Sequence, residues 1–453
     1  MTEVPASEVN PHYLDHVMTV ADSHGVEASE DIVARNGMKL LAKGARIDAS
    51  VRERLLEHKL NKPLEECMQV AHGVTIAQLL GEAEGMIEQC SLLRELFSAR
   101  GLRAEALQAL RQMPMGAPMQ SLLTVYHGSG ADKLDHAVRV ALLTLGLSLR
   151  LESPQSRASR TQLLQAGLCH DVGELYIEPG YLQRGQQLRP DQWKHVAAHP
   201  VVGWRVLKDM PGVGKVVAEM VMDHHERLDG FGYPRGRLGP DLPMDHQVLA
   251  MGELLGSLKD SRIAPLLRAD VAVKLIPGEY DRELTSLVDR TVRQCETHEL
   301  VQTLSPLPSV DDTLRKAEAT AAYVQRLGEA RELLREEVQT ASEPFKALTQ
   351  QAFVRFDNIQ KALASTGVDA RAPQDLREQL DQSELQNNQG LHLELAVVLR
   401  EINWRLRELE REMTVRVERA APAELDRLAR VVAHIRGGQE GASAQAAPEP
   451  ALG

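Results

Sequence analysis

The residues between about Ile76 and Leu300 follow a helical pattern that constrains the fold more than any other feature of the chain. The runs HAVRVALLTLGLSLRL and TQLLQAGLCHDVGELYI are apolar enough to form buried core helices. The segments between such runs contain Gly and Pro, as in IEPGYL, DMPGVG and DGFGYPRG, and are predicted to be turns or loops. This stretch therefore predicts a helical bundle, and the fold class as a whole is mainly α.

A different pattern precedes the bundle. Asp31–Asp48 contains two short apolar runs around Asn36-Gly37, a dipeptide typical of hairpin turns. The following run, ASVRERLLEHKL, repeats its apolar residues at helical spacing. Residues 1–75 are therefore expected to form a small α+β module with a sensory or adaptor role, followed by a helical domain over residues 76–303.

The composition changes again after LSPLPSVDD, which ends at Asp312. Runs rich in Leu, Ala, Glu and Arg predict long helices over residues 304–436, arranged as a coiled-coil hairpin with solvated charged faces. Their Leu-rich seams also suggest a homodimer through these helices. Residues 437–453 are low in complexity and are expected to form a disordered tail.

Length and charge exclude several classes of protein. A chain of 453 residues is too long for one ordinary core, so two or three domains are expected. Its net charge of -12 argues against a partner that is a nucleic-acid polymer. The polar N-terminus has no secretory signal pattern, and no apolar run is long enough to predict a membrane span. The four cysteines form no CxxC pair, and reduced thiols in a bacterial cytoplasmic protein are expected.

The histidines carry the strongest chemical signal. Eight of the 16 lie between His127 and His246, and His170 is followed directly by Asp171. A carboxylate beside an imidazole at a helix end can bind one metal ion and bridge to another. A bundle can collect such groups from several helices into one interior site, and a mixed N/O donor set suits Fe, Mn, Zn or Co better than Mg or Ca. The candidate ligands are His136, His170, Asp171, His199, His224, His225 and Glu253.

Four motifs that contain these residues give the sequence a family resemblance. HAVRV, LLQAGLCHDVGE, HPVVGWRVL and HHERLDGFGYPRG follow in the order and approximate spacing of the HD-GYP domain, a branch of the HD phosphohydrolases that hydrolyses cyclic di-GMP. The resemblance covers about residues 120–300. It implies an HD-type helical fold, two or three divalent ions with Fe or Mn preferred, and a cyclic dinucleotide as ligand. His170 and Asp171 would then be the catalytic pair, with Asp171 as the bridging carboxylate.

The resemblance also assigns a role to the glycine-rich loop. Gly232, Tyr233 and Pro234 would form the outer wall of the substrate site and a surface for a protein partner. Asp132, four residues before His136, would be an additional ligand for a third metal ion.

Three positions depart from the family pattern, and two of them remove positive charge. Glu253 stands where the family usually has Asp, which keeps a carboxylate with a longer reach. Glu174 replaces a lysine that lies near the scissile phosphate, and Pro265 replaces a second base, whereas Arg262 is retained as a phosphate contact. Losing one preorganised contact of this kind typically costs about 10²–10³ in rate.

The sequence thus predicts a metal-dependent phosphodiesterase that hydrolyses cyclic di-GMP or a related cyclic dinucleotide in second-messenger signalling. The alternative is a catalytically weak or inactive signalling or scaffold module that keeps the metal site, which the charge of Glu174 and the long helical C-terminus would favour.

Overall fold

The computed structural model describes residues 8–151, 158–183, 188–259, 264–295, 307–368 and 382–435. Over these residues the protein is mainly helical, as predicted, with a small α+β part before the bundle and long helices after it. Arg262 and the predicted tail, 437–453, lie outside the described residues. None of the helices that the structure describes is both long and apolar enough to cross a bilayer.

The N-terminal part contains the predicted hairpin in a shortened form. β2 and β3 pair antiparallel, and the Asn36 side chain accepts a hydrogen bond from the Met38 amide (3.0 Å) in the turn between them. A second antiparallel pair, β1 with β4, joins segments about forty residues apart and was not predicted. The elements are α1 (Pro11–His24), β1 (Val26–Ala28), β2 (Ile32–Val33), β3 (Lys39–Leu41), α2 (Arg52–Leu56), α3 (Leu64–Cys67) and β4 (Met68–Val70).

The bundle follows. Its central helix, α8, is buried along almost its whole length, and it packs mainly against α9 and α13. The helices of this part are α4 (Ile76–Gln89), α5 (Ser91–Leu96), α6 (Leu102–Gln112), α7 (Ala117–Gly128), α8 (Lys133–Arg150), α9 (Arg160–Cys169), α10 (Pro190–Val196), α11 (His199–Leu207), α12 (Lys215–Asp223), α13 (Met244–Lys259), α14 (Pro265–Lys274) and α15 (Arg282–Gln294).

The N-terminal part and the bundle share one hydrophobic core, which runs from Tyr13 to Cys295. The rings of Tyr13 and Tyr176 stack with centroids 4.8 Å apart, and the Val70 amide donates to the Ser121 hydroxyl (3.2 Å). Such contacts tie the two parts closely together, and the predicted division at residues 75 and 76 stays a prediction.

The C-terminal helices build a second core, and their predicted arrangement as a hairpin with solvated charged faces stays a prediction. They enclose buried apolar side chains together with Phe231 and Ile276 of the bundle, and α19 packs along α14. The helices are α16 (Val310–Gln339), α17 (Glu343–Ala364), α18 (Gln382–Asn387), α19 (Gln389–Ala420) and α20 (Leu425–Ile435).

A buried ionic network connects these helices to the bundle. Glu279, just after the bundle helix α14, accepts hydrogen bonds from Arg355 of α17 and Arg405 of α19, each at 3.1 Å. Arg268 of α14 donates to Glu401 of α19 (2.6 Å). Some charged residues of these helices therefore pair between helices in buried positions. Others, such as Arg315 and Arg335, are exposed and pair within their own helix.

Candidate metal centre

The predicted ligands come together from five helices or helix ends. His136 lies in the first turn of α8, and His170 caps the C-terminus of α9. His199 begins α11, His224 caps the C-terminus of α12, and Glu253 lies within α13. Asp171 and His225 each follow a capping histidine directly. All are buried except His225, which is partly exposed.

Close backbone packing brings two of these segments into contact. A Cβ atom at Gly173 would lie only 2.0 Å from the carbonyl oxygen of His199. Glycine is therefore required here, because any side chain would push α11 away from the turn that carries His170 and Asp171.

Three of the imidazoles are oriented by their own backbone. The Nδ1 atoms of His170, His199 and His224 lie 2.7, 2.8 and 2.6 Å from the carbonyl oxygens three residues earlier in the chain. An Nδ1–H that donates to a carbonyl leaves Nε2 unprotonated, with its lone pair directed into the site, which is the usual arrangement of a metal-ligating histidine.

The spacing of the Nε2 atoms fits a metal ion. The Nε2 atoms of His136 and His170 lie 3.2 Å apart, and those of His199 and His224 lie 3.0 Å apart. Two nitrogens bound to one ion at about 2.1 Å and at right angles are separated by about 3 Å. Unprotonated nitrogens at this distance repel each other, so a cation between them is the natural occupant.

Asp171 lies between the two sets of imidazoles. Its Oδ2 atom is 3.2 Å from His170 Nε2, and its Oδ1 atom is 3.2 Å from His199 Nε2 and 3.5 Å from His224 Nε2. Two groups of candidate ligands, with atoms within 4.8 Å of one another, therefore share this one carboxylate. The first group is His136, His170 and Asp171, and the second is Asp171, His199, His224 and His225.

Glu253 reaches the first of these groups in spite of its extra methylene. Its Oε2 atom lies 3.0 Å from His170 Nε2 and 3.1 Å from His136 Nε2. Its other oxygen accepts a hydrogen bond from the Ser257 hydroxyl (2.6 Å), one helical turn later on α13. Ser257 thus holds the carboxylate in the orientation that faces the two imidazoles.

The electrostatics of the site keep its carboxylates ionised. Burial opposes ionisation, but without a metal ion Asp171 and Glu253 raise the pKa of His170, and the positive charge of protonated imidazoles holds the pKa of both carboxyls well below the usual value. A bound cation would take over this role and leave the imidazoles unprotonated. Burial, reinforced by His224 and His199, lowers the pKa of His225 well below its usual value. His225 is therefore neutral at pH 7 and can act as a ligand.

Glu174 does not stand alone where the family has a lysine. Lys133, at the start of α8, forms an ion pair with its carboxylate, and the lysine nitrogen also lies 5.4 Å from the centroid of the Tyr126 ring. Lys133 was not singled out from the sequence, although it lies three residues before His136 and so on the same side of α8.

The remaining predicted residues are placed as follows. Asp132 is exposed at the start of α8 and belongs to neither group of candidate ligands. Pro265 begins α14, and Arg262 lies outside the described residues. His246, which is not a candidate ligand, contacts the buried carboxylate of Asp223 (2.8 Å).

The glycine-rich loop closes against the end of α12. The Tyr233 ring stacks on His225 with centroids 4.6 Å apart, and Glu226 accepts hydrogen bonds from the amides of Arg235 (2.7 Å) and Arg237 (2.9 Å). A Cβ atom at Gly232 would lie 2.3 Å from the Arg227 nitrogen, so glycine is needed here for close approach rather than for a turn.

The outer side of this loop contacts the C-terminal helices. Arg416 of α19 donates to the Gly232 carbonyl (2.7 Å), and Arg419 donates to the Pro234 carbonyl (3.3 Å). The loop that was predicted to contact a protein partner is thus in contact with another part of the same chain.

Comparison with known proteins points to the same region of the chain. A family model described as "HD domain" matches residues 123–284. A 3'3'-cGAMP-specific phosphodiesterase of Vibrio cholerae is 26% identical over 216 residues, which are 46% of each chain. A cyclic di-GMP phosphodiesterase of Pseudomonas aeruginosa is 36% identical over 101 residues, covering 22% of this chain and 24% of the relative. The alignments with these two relatives thus span less than half of each relative's length.

Two further comparisons concern a response regulator and a solved structure. A cyclic di-GMP phosphodiesterase response regulator of Xanthomonas campestris is 30% identical over 136 residues, covering 29% of this chain and 33% of the relative. The solved structure of Bd1817, a HDG"Y"P protein from Bdellovibrio bacteriovorus, aligns over 60% of this chain with 14% identity and a TM-score of 0.30. That likeness is too slight to compare the two sites.

The fold, the buried histidine and carboxylate site and the family match define residues 123–284 as an HD domain. With Gly232-Tyr233-Pro234 after the paired histidines, this domain is similar to the HD-GYP branch of the HD domains.

Proposed function

We propose that this protein is a metal-dependent phosphodiesterase that hydrolyses cyclic di-GMP or a related cyclic dinucleotide in bacterial second-messenger signalling. The observation that carries the proposal is the position of Asp171, whose two oxygens face two separate sets of imidazoles. The names of the relatives, which act on cyclic di-GMP or 3'3'-cGAMP, support the class of substrate.

The proposed centre holds two divalent ions, and the nitrogen-rich donor set favours Fe or Mn. When bound, such ions supply positive charge to a phosphoryl oxygen and acidify a water molecule, which then serves as the nucleophile. His136, His170 and Glu253 would hold one ion and His199, His224 and His225 the other, and the carboxylate of Asp171 would serve both. A third ion would need the Asp132 side chain to turn inward from its exposed position.

The chain's own residues would then bind and orient the substrate. Tyr233, stacked on His225, forms a wall beside the second set of imidazoles, and Arg262 is proposed as a phosphate contact. Hydrolysis adds the water oxygen to phosphorus and breaks one P–O bond, and the leaving oxygen takes up a proton. The product is a linear dinucleotide, or a mononucleotide after a second cleavage.

The alternative function is a binding or scaffold module that keeps its metal ions without turnover. One observation favours it, namely that Glu174 places a carboxylate where the family has a cation. The ion pair with Lys133 weakens this alternative, because the carboxylate is neutralised.

Turnover separates the two functions. Purified protein reconstituted anaerobically with Fe(II) or Mn(II) should convert cyclic di-GMP to a linear or mononucleotide product, and a His170→Ala/Asp171→Ala variant should not. If the folded, metal-loaded protein yields no product from cyclic di-GMP or 3'3'-cGAMP, the phosphodiesterase proposal is wrong and the scaffold function is favoured.

A further inference from the structure

One arginine of α19 differs from its neighbours on the same helix. Arg405 is bound by Glu279 and Glu401, and Arg416 by the Gly232 carbonyl and Glu412. Arg411 has no hydrogen bond or ion pair with any residue that the structure describes, and its Nε atom is buried without an acceptor. A guanidinium offers five donors, so most of the binding capacity of this side chain is unused.

Arg411 stands at the outer end of a row of rings that begins at the metal centre. His225 stacks on Tyr233, and the Tyr233 and Trp193 rings meet edge to face with centroids 5.5 Å apart. The Arg411 guanidinium lies over the other end of this row, 3.4 Å from the centroid of the Trp193 ring. Tyr233, Trp193 and Arg411 are each partly exposed.

The charge of Arg411 is only partly offset by its surroundings. Burial lowers its pKa from the usual value, and the nearby carboxylates of Glu408 and Glu412 do not fully reverse that effect. Arg355, by contrast, has its pKa raised because three carboxylates outweigh its burial. A partly exposed cation with unused donors and incomplete neutralisation is suited to bind an anion.

We propose that Arg411 binds the second phosphate of the cyclic dinucleotide, the one that is not cleaved. This inference rests on the proposed function. A cyclic dinucleotide carries two phosphodiester groups on opposite sides of its ring, so one phosphate at the metal centre leaves the other displaced from it. The row from His225 to Arg411 extends in this way from the metal ligands, and its partly exposed aromatic rings offer a contact surface for a purine base that projects from the dinucleotide ring.

The C-terminal helices would therefore complete the substrate site of the HD domain. Positive charge that is missing at residues 174 and 265 would be supplied from α19, by an arginine that is distant in sequence from both positions.

The test compares two substrates on the full-length, metal-loaded protein. Cyclic di-GMP has two phosphates, whereas bis(p-nitrophenyl) phosphate has one and cannot reach beyond the metal centre. Arg411→Gln should raise the KM for cyclic di-GMP by about 10- to 100-fold, the effect of losing a charge-assisted contact. The kinetic constants for bis(p-nitrophenyl) phosphate should stay within twofold.

Two further variants and a binding measurement complete the experiment. Arg411→Lys should recover part of the affinity because it keeps the charge, and Arg407→Gln, an exposed arginine one turn earlier, should leave both substrates unaffected. Calorimetric binding of cyclic di-GMP, with circular dichroism melting as a check on folding, should rank the variants in the same order.

The outcomes separate the two proposals. If Arg411→Gln binds and cleaves cyclic di-GMP like the unaltered protein, or loses both substrates equally, this inference is overturned and the proposed function stands. If the unaltered protein neither binds nor cleaves a cyclic dinucleotide, both proposals are overturned.

Discussion

At the scale of single residues, the pair Lys133–Glu174 shows how a change in a motif can be compensated elsewhere. Glu174 alone would place a negative charge near the site of phosphate chemistry, and both Asp171 and Glu253 already carry negative charge there. Lys133 lies close enough to all three carboxylates for each of them to raise its pKa, against the opposing effect of its burial. A residue from another helix therefore neutralises the added negative charge, although it does not replace the positive charge of the family motif.

Replacing Lys133 should cost activity. Lys133→Met leaves Glu174 as an unpaired, largely buried carboxylate that repels a phosphodiester, and we expect kcat/KM for cyclic di-GMP to fall by about 10². The double exchange Lys133→Glu/Glu174→Lys restores the pair and moves the cation to the position of the family lysine. It should return kcat/KM to within tenfold of the unaltered protein, and equal losses in the single and double variants would contradict this role.

Ser257 offers a test of the metal site that does not depend on turnover. Its hydroxyl holds Glu253, and loss of such a supporting contact typically weakens metal affinity about 10- to 100-fold. Ser257→Ala should therefore retain less Fe or Mn after dialysis against a weak chelator, measured by elemental analysis, while its melting curve stays cooperative. Ser257→Thr keeps the hydroxyl and should retain the metal; equal retention in all three proteins would argue that Glu253 is not a ligand.

At the scale of secondary structure, the sequence predicted helices better than strands. The apolar runs of the bundle and the histidines at helix ends, such as His199 at the start of α11, lie as expected. The pairing of β1 with β4 was missed, because strands of three residues carry no measurable alternation and their partners are far apart in the chain.

The sequence predicted those residues of the candidate site that belong to a local sequence pattern. Adjacent residues such as His170-Asp171 and His224-His225 suggest candidate metal ligands even when the fold is not known. Lys133 and Arg411 carry no such signal, because their significance comes from contacts with residues that are distant in sequence. Their partners, Glu174 and Trp193, become visible only when the helices are packed.

Between the elements, Glu279 is the carboxylate on which the buried network depends. Glu279→Gln removes the negative charge between Arg355 and Arg405, and breaking a buried pair in this way costs about 3–5 kcal/mol. We expect urea unfolding to show a loss of that size. Glu53→Gln is the matched control, because Glu53 pairs with Arg52 at a surface site where 79% of its side chain is exposed, and its cost should stay below about 1 kcal/mol.

The same carboxylate predicts a pH dependence. Burial by itself raises the pKa of Glu279, but Arg405, Arg355 and Arg227 outweigh it and hold the pKa below the usual value of 4.5. A lowered pKa contributes stability above the ordinary value, and that stability is lost as the pH falls through the lowered one. The difference in unfolding free energy between the unaltered protein and Glu279→Gln should therefore be constant near pH 7 and shrink below about pH 4.5. A difference that grows on acidification would contradict this assignment.

At the scale of the whole molecule, the C-terminal helices pack against the HD domain and do not form a separate extension of it. Phe231 of the glycine-rich loop is almost fully buried, and the guanidinium carbons of Arg355 and Arg416 lie 5.1 and 4.9 Å from its ring centroid. The Leu-rich seams that suggested a homodimer are occupied by this second core. The homodimer itself stays a prediction, which light scattering of the full chain would test.

Removing the C-terminal helices should therefore expose an apolar surface of the bundle to water and destabilise the bundle. A chain that ends at residue 303 uncovers Phe231 and Ile276 and removes Arg355 and Arg405, the partners of Glu279. We expect this chain to bind the dye ANS, to aggregate in light scattering and to melt well below the full-length protein. A chain that ends at residue 436, which lacks only the predicted tail, should melt like the full-length protein. A monomeric 1–303 chain with an unchanged, cooperative transition would show instead that the predicted domain boundary near residue 304 separates independent folding units.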